Sequence, residues 1–367
     1  MIALRLGGLV VSSRIASELL LVGSLPASST EEALRAGGEL FGDLVFALPD
    51  GETGPRALWA AYEHISLLAT HPELDVIDKG AAPPRHTGEI PVLAVRKGVE
   101  HLRFDRWPRI DDAIESYRVF RALREQGVIP SHVRFQVALP FRTSAISTFK
   151  ANFTHDFAIA AAAYEELFAR EITRLTAAIP PDDLALQWDV CWEVLDLEGV
   201  VDWMDDQAWE RFAGPVTRLT RLVPEQTLVG YHLCYGTFPT WPMHEAKDME
   251  LAVRMANYAV AHSGRAVDFL HLAGPRDLRS RDERFFEPLL GLNVPDTRVY
   301  LGIVLPIDGV EGLRRRHATA SKYLENFGVA MYCGFGRQPG RDGVQTMREH
   351  RQVVQQFLGS RARSSAR

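Results

Sequence analysis

Short apolar runs rich in β-branched residues alternate along the chain with longer stretches of helical periodicity. Several of the runs are apolar at nearly every position, as expected for parallel strands that are covered on both faces. Eight runs are predicted to be strands: Leu19–Gly23, Leu44–Leu48, Val133–Leu139, Leu184–Val190, Thr227–His232, Val267–Leu272, Thr297–Val304 and Val329–Cys333. Eight strand-then-helix units predict an α/β protein with a (β/α)8 TIM barrel, and an open doubly wound sheet is the alternative.

The segment between residues 71 and 109 does not fit a single strand-and-helix unit. It contains β-like stretches at Pro91–Val95 and His101–Phe104, and we predict a hairpin excursion after the second strand. Residues 1–17 are predicted to be a leader segment into the first strand, and residues 360–367 a disordered tail. The chain from 1 to 367 is therefore predicted to form one barrel domain.

Composition and charge narrow the range of partners. The net charge is −6, from 41 Lys and Arg against 47 Asp and Glu, which argues against a nucleic-acid partner held through phosphates. No apolar run reaches the roughly 20 residues that a membrane span requires. Three cysteines are too few for a disulfide framework, so we expect a reducing, cytoplasmic location. Assembly into a homo-oligomer stays open.

Candidate metal ligands lie at the carboxyl ends of the predicted strands, where barrel enzymes carry their active sites. His232 and Cys234 are two residues apart, so both side chains point to the same side of an extended chain. Cys333 closes the last strand, and Cys191 is expected to contribute no ligand. Zinc binds cysteine sulfur and histidine nitrogen, and three protein ligands with an open position are typical of a catalytic site. The alternative is that the cysteines are buried small hydrophobic residues.

These residues resemble the catalytic barrel of cobalamin-independent methionine synthase and of related zinc-dependent thiol alkyltransferases, including epoxide:coenzyme M transferase. The likeness is carried by five short motifs: Gly23-Ser24 before Pro26, Gly51-Glu52 with Arg56, Asp189 at the end of strand four, His232-Leu233-Cys234-Tyr235, and Cys333-Gly334. The resemblance implies a zinc ion held by His232, Cys234 and Cys333. It also implies that Gly23 and Ser24 contact an amino-acid substrate, whose amino group binds Glu52 and Asp189.

Two carboxylates on separate strand ends with no obvious partner cation also suit a ligand that carries an ammonium group. Asp189 and Glu52 have a structural alternative, which is to cap or bond the backbone of their own loops.

The chain departs from the family at the remaining zinc ligand. The family has a Glu where this chain has Ala273. His271 lies two residues earlier on the same strand face and is predicted to serve as the fourth ligand or as an acid. The alternative for His271 is an interior histidine bonded to a carbonyl group. The family's tryptophan that stacks on folate is replaced in the Pro140–Ser144 segment, which argues against folate as the alkyl donor.

The predicted function is a zinc-dependent transferase that moves a methyl or other small alkyl group to a homocysteine-like thiol. Its partners are then a small-molecule thiol and an alkyl donor. Zinc would deprotonate the thiol, and the resulting thiolate would attack the alkyl carbon. Two alternatives are a zinc-dependent lyase or hydrolase on the same barrel, and a barrel that binds thiols or amino acids without catalysis.

Overall fold

The computed structural model describes residues 14–80, 90–149, 153–201, 203, 205–236, 243–275, 282–305, 308–335 and 343–365. The first thirteen residues of the predicted leader and the last two of the predicted tail lie outside this part of the chain. Within it, no helix is both long enough and apolar enough to cross a membrane.

Eight parallel strands form a nearly closed barrel in the order β1-β10-β9-β8-β7-β6-β5-β2. The strands of the described chain are β1 Leu19–Leu20, β2 Ala47–Pro49, β3 Leu74–Gly80, β4 Ile90–Val95, β5 Arg134–Pro140, β6 Leu184–Val190, β7 Leu228–Leu233, β8 Phe269–Ala273, β9 Arg298–Val304 and β10 Gly328–Met331. The amide of Leu25 donates to the carbonyl of Gly51 at 3.0 Å, which joins the segments that follow β1 and β2. The predicted TIM barrel is confirmed.

Helices surround the barrel. The described helices are α1 Thr30–Phe41, α2 Ala60–Glu63, α3 Pro108–Glu125, α4 Arg142–Ile146, α5 Phe153–Ala178, α6 Trp192–Leu197, α7 Ala208–Thr220, α8 Glu250–His262, α9 Asp282–Phe286, α10 Gly309–Ala320 and α11 Gly343–Ser365. Residues 360–365 are thus helical, where a disordered tail was predicted. The helix α11 packs against the rest of the protein through three buried side chains, Met347, Val354 and Phe357. Extending this helix to residue 365 costs little free energy compared with starting a new helix.

The excursion after β2 is a hairpin, as predicted, and the predicted stretch Pro91–Val95 lies within β4, but its partner strand differs from the predicted one. β3 pairs antiparallel with β4, from Leu74 opposite Val95 to Gly80 opposite Ile90. The predicted stretch His101–Phe104 is not a strand. A register irregularity within β3 breaks the two-residue alternation that would have identified this strand from the sequence.

β1 is shorter than the predicted first strand. After Leu20, side-chain amides take the place of strand-to-strand hydrogen bonds. The side-chain amide of Gln136 donates to the carbonyls of Leu21 and Val22, at 3.0 Å each. The amide of Gln187 donates to the carbonyl of Val22 at 2.6 Å. These three bonds hold the chain after β1 inside the barrel, although it makes no regular strand pairing there.

Two glycines inside the barrel make room for rings on β8. A Cβ atom added at Gly230 would lie 2.3 Å from the ring of Phe269. A Cβ atom at Gly302 would lie 3.0 Å from Nε2 of His271. Both distances are shorter than a carbon atom tolerates without displacing its neighbour. The glycines therefore make room for two rings inside the barrel, with Phe269 at the start of β8 and His271 two residues nearer the carboxyl end of that strand.

Candidate metal centre and adjoining pocket

One imidazole and two thiols meet at the carboxyl end of the barrel. The candidate ligand atoms of His232, Cys234 and Cys333 all lie within 4.8 Å of one another, and the three residues are buried. The sulfur atoms of Cys234 and Cys333 are 3.9 Å apart. Two sulfurs bound to one tetrahedral zinc at 2.3 Å would be about 3.8 Å apart. The donor types and the sulfur spacing therefore fit a zinc ion.

Strand geometry brings the three side chains to one point. His232 is on β7, and Cys234 extends its ladder because its amide donates to the carbonyl of Val190 at 3.0 Å. The register between β10 and β9 shifts between Val329 and Met331. The extra residue of this irregularity is on β9, between Leu301 and Val304. Cys333 lies two residues after the end of β10, in a bend, so the two-residue alternation of the strand no longer sets its direction and its thiol lies near His232 and Cys234.

His271 lies beside His232 rather than among the metal-facing atoms. The two residues are register partners on β7 and β8, and their Nδ1 atoms are 2.6 Å apart. Nε2 of His271 is 2.7 Å from the carbonyl oxygen of Met331. Burial lowers the pKa of His271 to about 4, so its ring is neutral at neutral pH. Both ring nitrogens of His271 make hydrogen bonds, one of them to a carbonyl oxygen. Its predicted role as a fourth ligand or an acid stays a prediction.

Asp189 lies in the same barrel mouth and accepts two hydrogen bonds. The indole of Trp59 donates to Oδ2 at 2.6 Å, and the amide of Gln187 donates to Oδ1 at 2.8 Å. Burial and the nearby Glu52 carboxylate raise the pKa of Asp189 to about 7. Its charge is therefore sensitive to a ligand bound beside it.

Glu52 occupies a left-handed backbone conformation with φ of 48°. Its amide donates to Oδ1 of Asp50 at 3.0 Å, which fixes this turn. Arg109 from α3 lies with Nη1 3.4 Å from Oε1 of Glu52, and it also pairs with Glu63. The expectation that Glu52 has no partner cation is therefore wrong. Arg56, the residue expected from the motif, pairs with Asp50 instead.

Burial alone would lower the pKa of Arg109, but Glu63, Glu52 and Asp189 together raise it. Its guanidinium group is a permanent charge among these three carboxyl groups. The local balance is therefore one positive charge against as many as three negative charges. A cationic group that enters the pocket beside Glu52 and Asp189 would meet a net negative field.

Seven of the eight predicted site residues line one pocket: Gly23, Ser24, Glu52, Asp189, His232, Cys234 and Cys333. The cavity between them has a volume of about 20 Å³, and His271 is not among the residues that line it. The hydroxyl of Ser24 is buried and has no hydrogen-bond partner among the described residues. Gly334 packs against it so closely that an added Cβ atom would lie 2.3 Å from that hydroxyl. Ser24 thus offers one donor and acceptor to a ligand.

The sequence analysis did not select Trp59, which lines the pocket with a φ of 55° and carries no recognisable motif. Cys191 also lines the pocket. Its position two residues after Asp189 was an available signal, although β6 ends at Val190 and Cys191 is the N-cap residue of α6. The pKa of Cys234 is raised well above its usual value by a hydrogen bond with Cys191 and by burial. A hydrogen bond with Cys333 acts in the opposite direction but is outweighed. Cys191 lies outside the three-residue ligand group, and its exclusion as a ligand stays a prediction.

Comparison with known proteins finds similar solved structures. No family model matches the sequence, and no curated protein matches it. A B12-independent methionine synthase from a Shewanella species, solved with selenomethionine, superposes with a TM-score of 0.51 at 15% identity, over 90% of this chain and 89% of that one. A proposed vitamin-B12-independent methionine synthase from Listeria monocytogenes gives a TM-score of 0.54 at 13% identity, over 90% and 86%. At these identities the likeness establishes the shared barrel fold.

Proposed function

We propose that this protein is a zinc-dependent transferase that moves a methyl or other small alkyl group to the thiol of an amino-acid acceptor. The observation that carries the proposal is the buried group of His232, Cys234 and Cys333, with ligand atoms within 4.8 Å of one another, in the same pocket as two carboxylates. This arrangement offers a set of nitrogen and sulfur ligands for a metal ion beside a binding site for an amino group.

Zinc bound by these three residues would supply the Lewis acidity that converts an incoming thiol to a thiolate near neutral pH. The transfer is a displacement in which a carbon–sulfur bond forms while the bond between that carbon and the donor's leaving group breaks. The protein residues align the acceptor and keep water out of a buried site. Alignment by itself contributes a large share of the rate in reactions between two substrates.

The carboxylate side of the pocket would bind the backbone of the acceptor. Asp189 and Glu52 contribute to a net negative field in the pocket that favours an ammonium group, and the hydroxyl of Ser24 can donate a hydrogen bond to a carboxylate oxygen. The Shewanella neighbour was solved with selenomethionine, an amino acid whose selenium carries a methyl group. That ligand has the same chemical class as the product expected here, a methylated chalcogen on an amino acid.

The first experiment is elemental analysis for zinc on the purified protein and on the Cys234→Ser and Cys333→Ser variants. We expect about one zinc per chain in the parent protein and a strong loss in both variants, since a catalytic site of this type uses three protein ligands. Cys191→Ser is the matched control, because this buried thiol contacts Cys234 but lies outside the ligand group. It should retain the zinc.

The second experiment measures thioether formation from homocysteine and a panel of methyl donors with the zinc-loaded protein. Product that depends on Cys234 and Cys333 would support the transferase. A parent protein that binds no zinc after reconstitution would rule out the proposal. Zinc with thiol binding but no product from any donor would favour a binding barrel instead.

A further inference from the structure

A chain of two hydrogen bonds leads from the metal-facing histidine to the protein backbone. It runs from Nδ1 of His232 to Nδ1 of His271 over 2.6 Å, and from Nε2 of His271 to the carbonyl oxygen of Met331 over 2.7 Å. All of it is buried, and His271 has no exposed surface. His232 is on β7 and His271 on the neighbouring β8, while Met331 is on β10, with β9 between β8 and β10.

The donor and the acceptor in each of these two hydrogen bonds follow from the bond to the Met331 carbonyl. A carbonyl oxygen only accepts hydrogen bonds, so Nε2 of His271 carries a proton. In a neutral ring the other nitrogen of His271 is then an acceptor, and Nδ1 of His232 must donate to it. The lone pair of His232 is left on Nε2. If His271 were doubly protonated instead, His232 would accept through Nδ1, and its proton would sit on the nitrogen needed for the metal.

We infer that His271 is a positioning residue that fixes the tautomer and the ring orientation of His232, so that His232 presents Nε2 to the metal. Metal-binding histidines usually donate their second ring proton to a carboxylate, a carbonyl or water. Here a neutral imidazole takes that place, and the chain of bonds ends on the carbonyl of Met331. It orients the ligand without adding a negative charge beside the metal.

The surrounding packing serves this orientation. Gly302 on β9 leaves the space that Nε2 of His271 occupies, since a Cβ atom there would lie 3.0 Å away.

The inference rests on the metal site of the proposed function, but the tautomer is a property of the metal-free protein as well. The two ideas can therefore fail separately.

The direct test is a long-range ¹H–¹⁵N correlation spectrum of the histidine rings in the metal-free protein at neutral pH. The His271→Gln variant assigns the signals, because it removes one ring of the pair. We expect His232 with its proton on Nδ1 and His271 with its proton on Nε2. A His232 ring protonated on Nε2 would overturn the inference, whether or not the protein binds zinc.

The second test measures zinc affinity by competition with a chromogenic chelator. Loss of such a hydrogen-bond partner costs about 10–100-fold in metal affinity, which we expect for His271→Leu. His271→Gln should recover much of the affinity, because a side-chain amide can donate to the Met331 carbonyl and accept from His232. Zinc binding by His271→Leu that is as tight as in the parent would contradict the inference.

His350→Leu is the matched control for burial. His350 is 1% exposed and packs against Phe41 and Phe335, with ring centroids 5.9 and 4.4 Å away. Its replacement should lower stability while leaving zinc affinity unchanged. An equal loss of affinity in His350→Leu and His271→Leu would show that the effect is structural, and this would also count against a positioning role. If His271→Leu does not fold, the His271→Gln affinity and the ring spectrum still decide the question.

Discussion

The two halves of the pocket are built on different chemistry. The half formed by β7, β8 and β10 holds neutral and soft groups, with His232, Cys234 and Cys333 supported by the bond to His271. The half formed by the ends of β2 and β6 and by α3 holds ionisable groups, with Arg109 among three carboxyl groups. The first half suits a metal ion and a thiol, and the second suits the charged backbone of an amino acid. If this division is correct, substitutions in one half should leave the property of the other half intact.

The largest effect is expected for Arg109→Met. This change would leave Glu63 and Glu52 buried without their shared cation, and removing one partner of a buried ion pair costs about 3–5 kcal/mol. Urea unfolding of the metal-free protein measures the loss. Arg118→Met is the control, because Arg118 and its partner Glu115 are mostly exposed and such pairs contribute less than about 1 kcal/mol. If both variants lose the same free energy of unfolding, Arg109 does not stabilise the carboxylate half of the pocket more than an exposed ion pair would.

The next effect concerns the pH dependence of stability. Because the pKa of Asp189 is raised to about 7 in the folded state, the folded protein holds a proton that the unfolded chain releases near pH 4. This group therefore favours folding at low pH, and its contribution falls as pH rises from about 4 to 7. The stability of the parent relative to Asp189→Asn should drop by about 1–3 kcal/mol between pH 5 and pH 8. A difference that does not change with pH would contradict the raised pKa.

The smallest of the three effects is on ligand binding. Asp189→Asn should weaken the binding of homocysteine about tenfold, because a hydrogen bond to a charged group contributes about 1.5 kcal/mol or more. Zinc content should not change, since Asp189 is outside the ligand group. Binding of a thiol that lacks the amino group is the comparison, and it should be unaffected. If both thiols lose affinity equally, Asp189 does not recognise the amino group.

The metal half was largely predictable from local patterns. The two-residue period of a strand places His232 and Cys234 on one face, and barrel topology gathers strand ends at one rim. Cys333 was predicted from its position at the end of the last strand. The role of His271 was left between a ligand and an interior histidine, because the sequence does not show which residue lies opposite it on the next strand. The register of β7 against β8 places His271 opposite His232, and its role stays a prediction.

Local patterns in the sequence predicted the strands of the barrel, the position of the pocket at their carboxyl ends and the three candidate ligands, because strand periodicity acts within short segments. The partners of the two carboxylates could be identified only in the folded chain. Arg109 reaches Glu52 from 57 residues away, and Trp59 reaches Asp189 from 130 residues away. Such contacts leave no local pattern, because they arise when loops and helices pack over the end of the barrel. The local pattern therefore predicted the metal site, while the charge balance around the amino-group site required the folded chain.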